Sequence, residues 1–210
     1  MRRAPAVKCG AMGMPTTCKA GLKEWAVAIE ALGSGRQALI IRKGGIREEG
    51  KHFRVLYPEF LLFPSFEHQQ HELLKPGLAE ELSRGLSMKP DPAWLTFTHL
   101  ARVHAVYAVS ELAELEALSP HHIWSDAYAQ TRLRWKPRVP LMAMVLQVYA
   151  LPEPRRAPAR PEYAGCKSWL QLLDAVELGE MTPAMTDDAF DTEAARIQRA
   201  LDGVRAAAAR

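Results

Sequence analysis

WAVAIEALGSGRQALII, residues 25–41, is the stretch that decides the fold class. Trp25 to Leu32 is apolar on both faces except at Glu30. Gly33-Ser34-Gly35-Arg36 has the composition of a tight turn, and Gln37 to Ile41 returns as a second apolar run. Two such runs around a glycine-rich tetrad predict a β-hairpin. Both strands are apolar on both faces, so the hairpin is expected at the centre of a sheet. Glu30 inside a buried strand needs a partner, because an unpaired buried carboxylate is costly. Arg42 can supply it, with Glu24 as the other acid within its reach. Arg42-Lys43-Gly44-Gly45-Ile46 then sets two cations and two glycines at the end of a strand, where backbone can approach a ligand closely.

Downstream, His52 to Phe63 reads as one or two short strands ending at Pro64. Ser65 is the expected N-cap of a helical segment starting Phe66-Glu67-His68-Gln69, and Leu78 to Leu86 continues as a second short helix. Trp94 to Val109 is the clearest long strand: Leu95, Phe97, Val103, Tyr107 and Val109 share one parity, the pattern of a half-buried strand. Ser110 is expected to cap a helix carrying Leu112, Leu115 and Leu118. Ser125 caps the next, from Asp126 to about Trp135, with Tyr128, Arg132 and Trp135 on one face. Pro140 to Leu151 reads as the last strong strand, followed by a Pro- and Arg-rich link over 152–161. Asp187 to Ala209 spaces Phe190, Ile197, Leu201 and Val204 as an amphipathic helix, able to dock on the body or pair with a partner chain or a second copy. The sum is an α+β fold, with a mostly antiparallel sheet or small partly open barrel, inserted helices and a C-terminal helix.

With 48% hydrophobic and 24% charged residues in 210, the chain suits one domain of ordinary size with peripheral segments. Residues 1–20 lack a hydrophobic period and are expected disordered, with Met1, Met12 and Met14 all candidate starts. The domain is expected over 21–173, and a loop with the C-terminal helix over 174–210. Cys9, Cys18 and Cys166 form neither a disulfide framework nor a zinc-ligand spacing, which fits a reducing cytoplasm. No run is long enough to span a bilayer, and no h-region follows the N-terminal arginines. No cofactor is expected. A net charge of +3 is mild, but Arg132, Arg134, Lys136, Arg138, Arg155, Arg156, Arg160 and Lys167 face only Glu153 and Glu162 in that region. Such an excess suits phosphates or a solvated rim.

Six short motifs occur in order: LKEW at 22–25, RKGGI at 42–46, FPSFEHQ at 63–69, HHIW at 121–124, RLRW at 132–135 and GCKSW at 165–169. On these the chain resembles an uncharacterised bacterial family, domain of unknown function eighteen-zero-two, over roughly 22–172. Ser65 stands where the family usually has threonine, which keeps a hydroxyl. The resemblance carries no activity, but it implies a link to DNA restriction or repair, since some members are joined to restriction-endonuclease domains. The order of elements also resembles small PUA-like barrels that bind nucleic acid.

Two functional readings follow. In the first, the protein is a nucleic-acid-associated module binding DNA or RNA, with Lys23, Arg42, Lys43, Arg132 and Arg134 on phosphate and Trp124 or Trp135 stacking on bases. Gly44 and Gly45 would present backbone N–H groups, and His122 would sit in the same cluster. In the second, it is an enzyme on a small anionic or nucleotide substrate. Glu67 or His68 would then act as acid or base, with Gln69 as a hydrogen-bonding neighbour and the Arg42-Lys43-Gly44-Gly45 turn as anion site. Both readings require RKGGI to meet either Glu67-His68-Gln69 or His122 and Arg132. Glu49-Gly50-Lys51 has the literal spacing of a metal-nuclease acid–lysine pair but lies in a glycine-flanked turn. No GxxxxGK[ST] loop and no Gly-x-Ser-x-Gly elbow is present.

Overall fold

The computed structural model describes residues 7–8, 13–43, 46–49, 52–55, 57–66, 71–78, 91–135, 140–163 and 168–209. Its frame is an eight-stranded sheet in which β10 (Thr182–Pro183), β8 (Leu141–Pro158), β7 (Trp94–Val109), β6 (Glu59–Ser65), β2 (Thr17–Trp25) and β9 (Trp169–Glu177) lie side by side in that order. β1 (Val7–Lys8) adds to β7, and β3 (Leu39–Arg42) adds to β8. Every pairing is antiparallel except β2 with β6, which run parallel from Gly21 opposite Leu61 to Trp25 opposite Ser65. A separate two-stranded ladder joins β4 (Ile46–Glu49) to β5 (His52–Val55). This is the α+β, mostly antiparallel architecture that the sequence predicts.

The central ladder of β7 and β8 is buried on both faces. Along β8, Met142, Met144, Leu146 and Val148 enter one core while Leu141, Ala143 and Val145 enter the other, the two-residue period of a strand. The first core gathers side chains from β2, β6, β7, β8 and β9, including Leu22, Phe60, Phe97, Leu100 and Leu170. The sheet therefore curls around it, although no ladder joins β8 to β9 among the described residues. Helices cover the second core. The single parity read along β7 is incomplete because its register against β8 shifts between Phe97 and His99 and again between Val103 and Ala105. Each shift re-aims the residues after it, so Leu100, Val103 and Val106 face one core while Ala105, Tyr107 and Val109 face the other.

The predicted hairpin at 25–41 is a helix followed by a strand. α1 spans Ala26–Gly33 and packs Ile29 and Leu32 into the first core, and Val27, Ala28 and Ala31 into the second. A short run that is apolar all round serves a buried helix as well as a buried strand. Three alanines, a leucine and a glutamate favour the helix. The glycine-rich tetrad is its stop signal. The Arg36 N–H donates to the Ala31 carbonyl at 2.9 Å and the Gly35 N–H to the Leu32 carbonyl at 3.1 Å, with Gly35 at φ 71°. That is the paired closure of a helix C-terminus around a left-handed residue. A Cβ on Gly35 would also stand 2.7 Å from the Ala184 carbonyl.

Other boundaries differ for local reasons. Ser65 is not a cap: it ends β6, paired with Trp25. The first inserted helix, α2 (Leu112–Ala117), is capped one residue after Ser110, by Glu111 in a reciprocal capping box with Glu114. Ser125 does cap α3 (Asp126–Arg134), accepting from the Tyr128 N–H at 3.3 Å. The Pro- and Arg-rich link is largely strand, because β8 runs on to Pro158, and β9 follows it. Pro152 and Pro154 fall between Ala150, opposite His99, and Arg155, opposite Phe97. The irregular register there spares them a ladder N–H, which proline lacks. At the N-terminal end β2 already begins at Thr17, and Arg102 donates to the Gly13 carbonyl at 2.9 Å.

β9 continues past Leu173 to Glu177, and the C-terminal helix α4 (Asp187–Ala207) docks on the body. Phe190, Ala194, Ile197 and Leu201 enter the second core. Arg205 fixes its far end, donating to Glu114 at 2.7 Å and to the Ala108 carbonyl at 2.9 Å. The apolar face offered for a partner or a second copy is thus buried within the chain. No described helix is long and apolar enough to cross a membrane.

Candidate nucleic-acid interface

β2 and β6 run parallel, so both leave the sheet at one end, the end to which β3 brings Arg42. There the Arg42 guanidinium meets Glu24 at 2.5 Å and donates to the Lys23 carbonyl at 3.2 Å. The other carboxylate oxygen of Glu24 accepts from the Trp25 N–H at 2.8 Å. Arg42 is 9% exposed and Glu24 8%. Arg42 therefore pairs with Glu24, not Glu30, and clamps the end of β3 to the end of β2. A buried pair of this kind holds position, because each charge is tolerated only through the other.

Above the pair rises a ladder of rings. Trp124, 4% exposed, meets Trp25 edge to face with centroids 4.9 Å apart, and Tyr128 lies 5.1 Å from Trp124. The Arg132 guanidinium sits 5.6 Å from the Tyr128 ring and 5.6 Å from the Trp135 ring. Tyr128, Arg132 and Trp135 are one helical turn apart in succession, so a single face of α3 and its C-cap residue carries them. Burial pushes the Tyr128 hydroxyl up, and it feels Glu24 and Arg42 as well as Arg132. The clamp and the ladder are thus one connected assembly. Trp135 closes it at the surface, 47% exposed.

Lys43, the residue after the clamp, points its ammonium at the C-terminal turn of α3 and donates to the Leu133 carbonyl at 3.0 Å. A cation at the carbonyl end of a helix is favoured by the backbone dipole. Its pKa is nonetheless lowered, first by partial burial and then by the charge of Arg132. Lys43 thus feels the charge of Arg132, which itself lies 5.6 Å from the exposed Trp135 ring, and Arg134 is solvent-exposed in the same turn.

The family model described as "Domain of unknown function (DUF1802)" matches residues 21–196. The chain belongs to this family. The DUF1802 match takes in the LKEW segment, the clamp and the ladder, and ends within α4. No curated protein matches the chain. Among solved structures, ASCH from Zymomonas mobilis is similar at TM-score 0.41 and 11% identity, covering 73% of this chain and 86% of that one. A serine-to-alanine mutant of the same protein gives TM-score 0.43 at 10% identity, covering 76% and 91%. A likeness this loose carries no function with it.

Of the residues singled out in the sequence, Arg42, Lys43, Trp124, Arg132 and Trp135 come together at this end of the sheet. Lys23 contributes its carbonyl to Arg42, while its ammonium lies 5.9 Å from the Phe63 ring. Trp124 is covered by Trp25 and Tyr128 and takes the core part. His122 stands apart, buried beside Lys75 and Asp126. Neither of its ring nitrogens makes a hydrogen bond of normal geometry, and burial, then the Lys75 charge, lowers its pKa to about 4. Gly44, Gly45, Glu67, His68 and Gln69 lie outside the described residues, as do Gly50 and Lys51 of the acid–lysine pair. Among the described residues no three His, Cys, Asp or Glu side chains converge as a metal site. Glu24 is offered by the sequence only as the second acid for Arg42, and with residues 25–41 read as a hairpin Trp25 and the Leu133 carbonyl carry no sequence signal as parts of the site. Trp25 and Glu24 would have emerged had residues 25–33 been read as a helix, which places them at its N-terminal entry.

Proposed function

We propose that the protein binds nucleic acid through the outer end of this assembly, with Lys43, Arg132 and Arg134 on phosphate and Trp135 beside them. Its setting would be DNA restriction or repair, the link that the family resemblance implies. The observation that carries the reading is that Lys43, held on the Leu133 carbonyl, feels the charge of Arg132, which lies against two rings. Each has its own anchor, one the Leu133 carbonyl and the other the Tyr128 and Trp135 rings, and the Arg132 charge lowers the pKa of Lys43 by repulsion. An anion placed against both relieves that repulsion, and phosphate matches the planar donor fork of arginine. Arg42 acts beneath them as the clamp that sets the position of Lys43.

Binding of fluorescent oligonucleotides, followed by anisotropy across a salt series, tests this. Affinity is expected to fall linearly on a logarithmic salt axis, with a slope near the number of phosphates contacted. No binding at low ionic strength sinks the reading.

A further inference from the structure

We infer that the outer face of the β7–β8 ladder, at its Trp94 end, is a separate contact for single-stranded nucleic acid: an unpaired base stacks on Trp94 and its phosphate meets Arg156. The register puts these side chains together. Trp94 lies opposite Pro158 and Thr96 opposite Arg156, and directly opposed residues of an antiparallel pair share a face. Leu95 and Ala157, the pair between them, enter the first core, so the other four lie on the solvent side. Trp94 is 39% exposed, and its indole has no ring, cation or hydrogen-bond partner among the described residues. Arg156 is its diagonal neighbour across the ladder, a spacing that long and aromatic side chains bridge.

Charge selects the partner. Of the arginines on this stretch, Arg155 is paired with Glu153, and Arg160 meets Asp174 at 3.4 Å. Arg156 is solvent-exposed, and its side chain makes no ion pair or hydrogen bond among the described residues. Its charge is therefore open to a ligand, and a guanidinium matches phosphate geometry. One open cation beside one open ring fits the repeating unit of a single strand, a base tied to a phosphate. A protein segment is the poorer occupant. Beyond the indole and Pro158 the face offers Thr96 and Arg156, without the apolar centre around which a protein interface packs. A duplex is poorer too, because its paired bases are already stacked on one another and offer the indole no free face. The contact uses neither Lys43 nor Arg132, so it stands or falls apart from them.

The test uses the full chain and three labelled 12-mers: oligodeoxythymidine, an abasic strand with the same phosphates, and a blunt duplex, with oligoglutamate as an acidic competitor. Oligodeoxythymidine is expected to bind more tightly than the other two. Trp94→Ala weakens its binding on the order of ten-fold and leaves abasic binding as it was, whereas Trp94→Phe retains most of the affinity. Arg156→Ala weakens both strands several-fold and lowers the salt slope by about one. Circular dichroism checks that the variants remain folded, and Arg156→Ala carries the test should Trp94→Ala not fold. Neutral Trp94→Ala and Arg156→Ala, beside a damaging Arg132→Ala, overturn the inference and leave binding at Lys43 and Arg132 standing. The reverse pattern upholds the inference and removes that other reading. Oligoglutamate that displaces the strand as well as unlabelled oligodeoxythymidine does overturns the inference in favour of an acidic protein segment. Absence of binding to any nucleic-acid probe at low salt overturns both.

Discussion

Arg42 and Arg132 belong to one assembly and do opposite things. Arg42 lies under the surface, bonded to Glu24 and to the backbone of β2, and its removal strands a carboxylate. Arg132 is half-buried, lies against two rings, and has no acid bonded to it among the described residues. The same residue type at two depths thus serves architecture in one case and recognition in the other. A cation whose partner is an internal carboxylate is already neutralised for any ligand, while one whose neighbours are π faces keeps its field.

The comparison breaks most readily at the clamp. Glu24→Ala or Arg42→Ala is expected to lower the free energy of unfolding by about 3–5 kcal/mol, since either leaves one buried charge unpaired. Replacing both with apolar residues of similar size should cost clearly less. Urea denaturation of the two singles and the double checks this, and a single variant as stable as wild type would remove the clamp.

His122 gives the next effect, of about 3 kcal/mol by linkage. The unfolded chain takes up a proton on this residue near pH 6.5, the folded chain only near pH 4. As pH falls through that window the unfolded state gains protons first, so stability declines. Stability is fully restored above pH 6.5. His122→Leu should flatten this part of the stability–pH curve, and an unchanged curve would locate the acid sensitivity elsewhere.

Arg132→Ala should leave unfolding within about 1 kcal/mol of wild type, as a partly exposed position does. It should weaken binding to a single-stranded probe several-fold and reduce the salt slope by about one. A large loss of stability with unchanged binding would exchange the parts assigned to Arg132 and Arg42. Arg134→Ala sets the floor: an exposed cation in the same turn, expected to lower the salt slope by less than one and to leave stability within about 0.5 kcal/mol.

Much of the frame was legible from the chain. β7 and β8 announce themselves by length and by branched and aromatic residues, α3 by Ser125 and its acidic first turn, and α4 by four apolar positions on one face. The surface of the site was legible too, because Tyr128, Arg132 and Trp135 share a helical face by spacing alone. What failed did so where one pattern serves two structures. Residues 26–33 bury all their faces, which erases the period that tells a helix from a strand, and the glycines after them suit a helix stop as well as a hairpin turn. Pro152 and Pro154 suggest a linker only until an irregular register removes the need for their N–H groups. The clamp was half-visible: Glu30 was expected to need a cation and Arg42 could pair with Glu30 or Glu24, but choosing Glu24 depends on the parallel pairing of two strands distant in sequence.

That parallel pairing also governs the order in which the molecule can assemble. β2 is among the first strands to be made, yet its neighbours come from residues 59–65 and 169–177. During synthesis its second edge stays open until nearly the whole sheet has emerged, on the order of ten seconds at ordinary elongation rates. A strand edge left unpaired that long is a template for pairing with another chain. Such non-local closure also makes refolding slow for a protein of this size. Chain ends placed before Trp169 should therefore yield aggregates rather than a smaller soluble domain, and a chaperone that covers the nascent strand should raise the yield of the intact one.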